Sequence, residues 1–237
     1  MQPITPMLGG GRIRLAGLYH NFPQQAEVTY IGSYDWRGEK KKDQMNSDNL
    51  REICIPLSHA HFKQNEQLSE QAGFNCIDLM FNQLGFLSHD YIQTIKQQVY
   101  HSDIIIFSHP WVYPLVKDII NEEQQMIVYD SQNHEGLLRY ELYHKIQQPL
   151  AQQVLTNVAA IEYDLCRKSH LILSCSDEDI QHFIKLYQIA PKKLKLVPNG
   201  VFFKTINQHQ KAPSNKPKKA IFMGSNYAPN VETVQFI

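Results

Sequence analysis

The chain has 237 residues, of which 43% are apolar and 11% aromatic, enough for a buried core and too apolar for a disordered polymer. Lysine plus arginine equals aspartate plus glutamate, 23 against 23, so no global field draws the chain to nucleic acid. No apolar run approaches the ~20 residues that span a bilayer, and the N-terminus lacks the basic flank and apolar segment of a signal peptide. These features predict a cytoplasmic protein, with attachment at the inner face of a membrane left open.

The length fits one large domain or two modest ones. Four cysteines, Cys54, Cys76, Cys166 and Cys175, show no CxxC spacing and read as reduced thiols. Eleven histidines bring no HExxH and no Cys/His cluster, so no metal is expected. The nearest pair, His59 and His61, reads as part of a loop. The run Lys40-Lys41-Lys42 reads as a solvated loop.

In chain order, the first helix is expected over Arg12 to Phe22, with Leu15, Leu18, Tyr19 and Phe22 on one face. "AEVTYIGSY" (Ala26 to Tyr34) and "REICIPL" (Arg51 to Leu57) read as strands. A helix over Ser88 to Tyr100 turns Ile92, Ile95 and Val99 inward. "DIIIFS" (Asp103 to Ser108) has the continuous apolar run of a strand buried on both faces. A helix follows near Pro110, then the strand "QMIVYD" (Gln125 to Asp130).

A long helical stretch from about Leu137 to Cys166 is kinked or divided at Pro149. "HLILSC" is the next strand, and Ser176 caps a helix with Asp177, Glu178 and Asp179 in its first turn. Ile180, Phe183, Ile184 and Tyr187 recur at helical spacing up to a stop at Pro191. "LKLVPNGV" (Leu194 to Val201) adds one more strand and a turn. Lys204 to Pro217, polar and without apolar period, reads as a linker. The closing "KKAIFMGSNYAPNVETVQFI" reads as a strand, a turn holding Gly224 and the opening of a helix.

Strands alternating with helices predict an α/β fold with a mainly parallel, Rossmann-like sheet, whose ligands bind at the carboxyl ends of its strands. Those ends are Ser108-His109-Pro110, Asp130 to Glu135, Cys175-Ser176-Asp177 and Pro198-Asn199-Gly200. Gly9-Gly10-Gly11, ahead of a helix, is either a plain turn or a place where backbone amides meet a phosphate. His109 is either a structural histidine or a ligand contact. "DSQNHEG" (Asp130 to Gly136) suits hydrogen bonding to a polyhydroxylated ligand, or an Asx-type turn with a capped helix. Glu162, beside apolar Ile161 and Leu165, is either solvated or a buried hydrogen-bonding group.

Taken in order, "GRIRL" with its glycine loop, "DIIIFSHP", "IVYDSQNHE", "AAIEYDLC", "HLILSCSDEDIQHFIKLYQI", "KLKLVPNGV" and "AIFMGSNYAPNVETVQFI" resemble the retaining glycosyltransferases of the GT-B fold, family 4. The resemblance implies two Rossmann-like domains: residues 1–203 on the acceptor side, a linker at 204–217, and 218–237 as the start of the nucleotide-sugar domain. It implies transfer of a sugar from a nucleotide-sugar to a saccharide or glycolipid, with retention and without a metal, in cell-surface polysaccharide synthesis. Gly10 and Gly11 would approach the donor diphosphate. His109, Gln132, Asn133, His134 and Asn199 would line the acceptor cleft, and Gly224 would sit in the donor-domain loop. The chain alone is then expected to be inactive.

Three departures accompany the resemblance. Gln132 stands where family members often carry a histidine, and glutamine is no acid or base near neutral pH. His134 lies close by. Only "MQPITPML" precedes the glycine loop, so the first strand is expected to be short or missing. The donor-gripping residues of the second domain are not among these residues. A non-catalytic module binding sugar or a partner therefore stays open beside the transferase, as does a sugar-nucleotide epimerase.

Overall fold

The computed structural model describes residues 2–7, 9–20, 22–23, 25–200 and 228–235. The chain divides into two units, Met1–Val201 and Phe202–Ile237. In the second, one helix is described, Ala228–Val234. The linker and strand expected before it, with Gly224, lie outside the described residues.

The first unit is built around a four-stranded, wholly parallel sheet in the order β4-β5-β6-β7: Ile104–Phe107, Met126–Asp130, Leu171–Ser174 and Leu194–Leu196. Ile105 pairs with Ile127, Tyr129 with Ile172, and Leu173 with Lys195. Because consecutive strands are parallel neighbours, each connection must cross back over the sheet, and helices do so. Between β5 and β6 run α6 (Glu135–Tyr143) and the 20-residue α7 (Pro149–Lys168), and α8 (Asp177–Tyr187) joins β6 to β7. This is the expected Rossmann-like α/β arrangement. Pro149 divides the long helical stretch by opening α7, where its missing N–H costs nothing. Along α7, Val154, Val158 and Leu165 are fully buried in the core that includes Ile127, Tyr129 and Ile172.

A second sheet pairs β1 (Val28–Tyr34) in parallel with β3 (Leu50–Pro56), and β3 antiparallel with β2 (Lys42–Ser47). Lys40 and Lys41 are exposed and outside any strand, as expected of a solvated loop, but Lys42, the first residue of β2, departs from that reading. Lys42 Nζ lies 2.7 Å from the buried Glu52 carboxylate. Glu52 also accepts from the backbone N–H of Ile4 and Thr5, from the Thr5 hydroxyl and from Asn46. Burial alone would raise the Glu52 carboxyl, but these bonds outweigh it and hold it below its ordinary range. They tie residues 4–5 to β3, although residues 2–7 form no strand. Ile4 packs with Leu15, Ala16 and Tyr19 of α1 (Gly10–Tyr19) and with Leu50 in a small separate core, against which Ile106 of β4 also packs.

Three further expectations are corrected. His59 and His61 lie in a helix, α2 (His59–Ala72), capped by the Ser58 hydroxyl accepting from His61 N–H and ended by Gly73 at φ 81°. β4 is covered on both faces only past its start, because Ile104 is 52% exposed whereas Ile106, on the same face, packs against the small core. α8 stops at Gln188, in left-handed geometry at φ 55°, with Ile189 N–H donating to Phe183 O, and not at Pro191. Ser176 does cap α8, its hydroxyl accepting from Asp179 N–H at 3.1 Å.

His61 is fully buried, its Nδ1 3.1 Å from Ser88 Oγ and its ring 5.1 Å from that of Phe81. Burial pushes its pKa down to about 4. The unfolded chain takes up this proton near pH 6.5 while the folded one refuses it, so its contribution to stability is lost as pH falls from about 6.5 towards 4. The His61 ring is expected to titrate near 4 in an NMR pH series. A midpoint near 6.5 contradicts the burial.

Candidate functional site

The carboxyl ends of the parallel strands meet the start of α1. Gly9, at φ 89°, precedes that helix, no side chain caps it, and no acid lies in its first turn. Its positive end is therefore left without a charged partner from its own first turn. A Cβ added at Gly10 meets nothing within 4 Å, whereas one at Gly11 would lie 2.8 Å from Gln132 Oε1. The structure thus brings Gly11 and Gln132 together.

One turn further along, Arg14 is buried beneath this edge and joins two strand ends. Its Nη2 donates to Asp130 Oδ1 at 2.7 Å at the end of β5. Its Nη1 donates to Val197 O at 2.6 Å and to Asn199 Oδ1 at 3.2 Å beyond β7. The Tyr19 hydroxyl donates to the other Asp130 oxygen at 3.1 Å. α1 is thereby clamped across the edge, and Asn199, itself exposed, is held by its side chain.

At the end of β4, His109 stacks on Trp111 with 12° between the rings and 6.1 Å between centroids. Its Nδ1 lies 3.3 Å from Glu135 Oε1. Glu135, fully buried, also faces the amide of exposed Asn133 at 3.4 Å and Arg139, whose Nε and Nη2 lie 3.1 and 2.9 Å from Oε2. Burial would raise this carboxyl, but His109, Arg139 and Asn133 bring it down to about 2. Arg139 in turn lies over the Trp111 ring. His109, Asn133 and Glu135 therefore form one connected polar group.

His134 is placed elsewhere. It is 2% exposed and caps α6, its Nδ1 accepting from Leu137 N–H at 3.2 Å, with its ring 4.7 Å from Phe183 and 4.4 Å from Tyr187. Burial pushes its pKa down to about 4. It caps the helix from within and does not share the open edge with Gln132 and Asn133.

Below it, Glu162 has the buried hydrogen-bonding role that its apolar neighbours left open. It accepts from the Tyr129 hydroxyl and Glu135 N–H, both at 2.8 Å, from Gly136 N–H at 2.7 Å, and from the Tyr187 hydroxyl at 3.0 Å. Burial pushes its carboxyl up to about 7, with the Glu135 charge adding to this and the Gly136 N–H opposing it. Gly136 packs into the same space: an added Cβ would strike the Tyr187 hydroxyl and lie 3.3 Å from Ala159 Cα. Gly136→Ala is accordingly expected to cost about 1–3 kcal/mol in urea unfolding, and an unchanged midpoint contradicts this packing.

Arg14, Trp111 and Arg139 were not among the residues the sequence pointed to, and Tyr19 was read only as part of an apolar helix face. The available signal was a charge, Arg14, adjoining the apolar stripe Leu15, Leu18 and Tyr19. Among the described residues, no helix is long and apolar enough to cross a membrane.

No family model matches the chain, and no curated protein matches it. Among solved structures it is similar to one described as trehalose-6-phosphate from E. coli bound with UDP-2-fluoro glucose. The identity is 15% and the TM-score 0.45, over 88% of this chain and 49% of that one. The chain spans about half the length of that structure.

Proposed function

We propose that this chain forms the acceptor-side domain of a sugar-nucleotide-dependent glycosyltransferase, acting with retention on a saccharide or glycolipid of cell-surface polysaccharide synthesis, at the cytoplasmic face of a membrane. The observation that carries this reading is the gathering of polar side chains and an uncapped helix start at the carboxyl edge of a parallel sheet. Ligands of open α/β sheets bind at that edge. His109, Gln132, Asn133 and Asn199 offer the neutral donors and acceptors that sugar hydroxyls need. His134, given its burial, supports the α6 turn from behind. The start of α1 at Gly10 and Gly11 offers backbone N–H groups and positive potential to the charge that develops on a departing nucleoside diphosphate. No metal is assigned a role.

On this reading, transfer needs a nucleotide-sugar domain as well, and the 237-residue chain binds acceptor without turning over. Robust turnover of a nucleotide-sugar by these residues alone overturns that division of labour. In a chain that includes the donor domain, His109→Ala and Asn133→Ala are each expected to lower acceptor-dependent release of nucleoside diphosphate by at least about tenfold, with unfolding midpoints unchanged for exposed Asn133. Unchanged kinetics in both variants remove these residues from the site.

One observation favours a second reading, a sugar-binding module without catalysis. Gln132, which can neither give nor take a proton near neutral pH, sits against the Gly11 backbone where a diphosphate would approach. Saccharide binding with no nucleoside diphosphate release, even with a donor domain attached, selects this alternative.

A further inference from the structure

We propose that Glu135 is a positioning residue that locks His109 in one tautomer, with the proton on Nδ1, so that Nε2 presents a lone pair to a ligand hydroxyl. The inference rests on the saccharide-site reading above for its ligand, but not for the tautomer. His109 Nδ1 is shut off from solvent and has no well-aimed hydrogen-bond partner among the described residues, while Glu135 Oε1 lies 3.3 Å away. Glu135 is itself ionised, held near 2 by His109, Arg139 and Asn133 against its burial. A bare lone pair on Nδ1 would then face a buried negative oxygen. A proton there faces an attractive one. Electrostatics therefore places the proton on Nδ1, and the neutral imidazole is left with Nε2 as its acceptor.

The ring is also held in orientation. Trp111 stacks against it, and Arg139 bridges Trp111 to Glu135, so plane and tautomer are set by one connected group. The His109 side chain is 24% exposed, and since Nδ1 is buried, that exposure lies on the rest of the side chain, at the carboxyl end of β4. Asn133, which also reaches Glu135, contributes an amide on the neighbouring strand end. A hydroxyl that donates to His109 Nε2 while accepting from an amide is a pattern that a saccharide supplies. His134 is an internal contrast. Its Nδ1 lies 3.4 Å from Glu162 Oε2, but that carboxyl is raised to about 7 and Nδ1 accepts from Leu137 N–H, which puts the proton on Nε2, a buried nitrogen without a hydrogen-bond partner among the described residues. Two histidines in one protein, each held by a different partner, are assigned opposite tautomers.

The test is nitrogen-15 NMR of the histidine rings in the full chain at neutral pH, where the two ring nitrogens of each tautomer are resolved. The expected result is His109 protonated on Nδ1 and His134 on Nε2. His109 protonated on Nε2, or an even mixture, overturns the proposal. Glu135→Gln is expected to release His109 into a mixture of tautomers and Glu135→Asp to retain the preference; a wild-type pattern in folded Glu135→Gln overturns the role given to Glu135. Should Glu135→Gln fail to fold, because Arg139 is left without its charge partner, the wild-type tautomer and Glu135→Asp still decide. Methyl glucoside, methyl galactoside and methyl mannoside, titrated as probes, are expected to shift His109 Nε2 and leave Nδ1 in place, and Glu135→Gln is expected to weaken the binding glycoside roughly tenfold. A glycoside that binds without moving Nε2 overturns the inference alone, with the saccharide site intact. Failure of all three glycosides to bind, with the tautomer as expected, counts against the saccharide site and against the ligand assigned to Nε2.

Discussion

Arg14→Ala is expected to cost the fold about 3–5 kcal/mol, seen as a large fall in the urea midpoint with the slope retained. That is a substantial fraction of the 5–15 kcal/mol typical of a domain. Arg14 and Asp130 are 2% and 0% exposed, so removing the guanidinium leaves a buried carboxylate with, among the described side chains, only the Tyr19 hydroxyl. Val197 O and the Asn199 side chain lose their donor in the same step. Arg14→Lys is expected to recover little, because one ammonium cannot serve two strand ends as the forked guanidinium does. Pairing Arg14→Met with Asp130→Asn is expected to restore part of the loss by removing both charges. A loss below about 1 kcal/mol for Arg14→Ala would mean that water reaches the pair, as at surface bridges, and that α1 is not clamped in this way.

Glu162→Ala is expected to be of comparable size, at least about 4 kcal/mol. It strands the buried Tyr129 hydroxyl, the half-buried Tyr187 hydroxyl and the first two N–H groups of α6, and each buried unsatisfied donor costs about 1–3 kcal/mol. The pH dependence has a definite sign. The Glu162 carboxyl is raised to about 7 in the fold against an ordinary value of 4.5, so the folded state holds a proton that the unfolded state has released. Its contribution is fully present below about 4.5 and is lost as pH rises through about 7. His134 and His61 act in the opposite sense, losing their contributions as pH falls from about 6.5 to 4. Glu162→Gln removes the titration and is expected to make stability rise more steeply with pH between 4.5 and 7 than in the wild type. An unaltered pH profile contradicts the buried, proton-holding carboxyl.

The half of the chain from Ser88 to Leu196 is legible because burial is written there in apolar residues. β5, α7 and β6 carry unbroken or regularly spaced side chains, and the Ser176 cap announces α8. The elements that escaped are those in which polar residues do the packing. α2 buries His61 and Asn65 on its inner face, with Phe62 and Ala72 among few apolar residues there, so no helical period stands out. β2 carries no buried residue and pairs through its backbone, while Lys42 is drawn inward by Glu52, ten positions away, and by Thr5, far back in the chain. The strand ends were correctly located because a parallel sheet dictates them. Which side chains face outward was not legible: His134 and Glu135 follow Asn133 directly, yet one caps α6 from within and the other anchors His109. For His134 that choice depends on Phe183 and Tyr187, which approach from α8 and leave no mark in the local sequence, whereas Glu135 is held partly by Arg139, one turn on in α6 itself.

The central claim, that the carboxyl edge of the parallel sheet is a saccharide site, is tested most directly by titrating glycosides into the isotope-labelled chain and mapping the NMR shifts. The account predicts perturbations centred on Gly10 and Gly11, 108–110, 130–135 and 198–200, with the opposite edge near Ile104 and Met126 unmoved. Binding centred on that opposite edge, or no perturbation at the carboxyl edge by any saccharide, contradicts it.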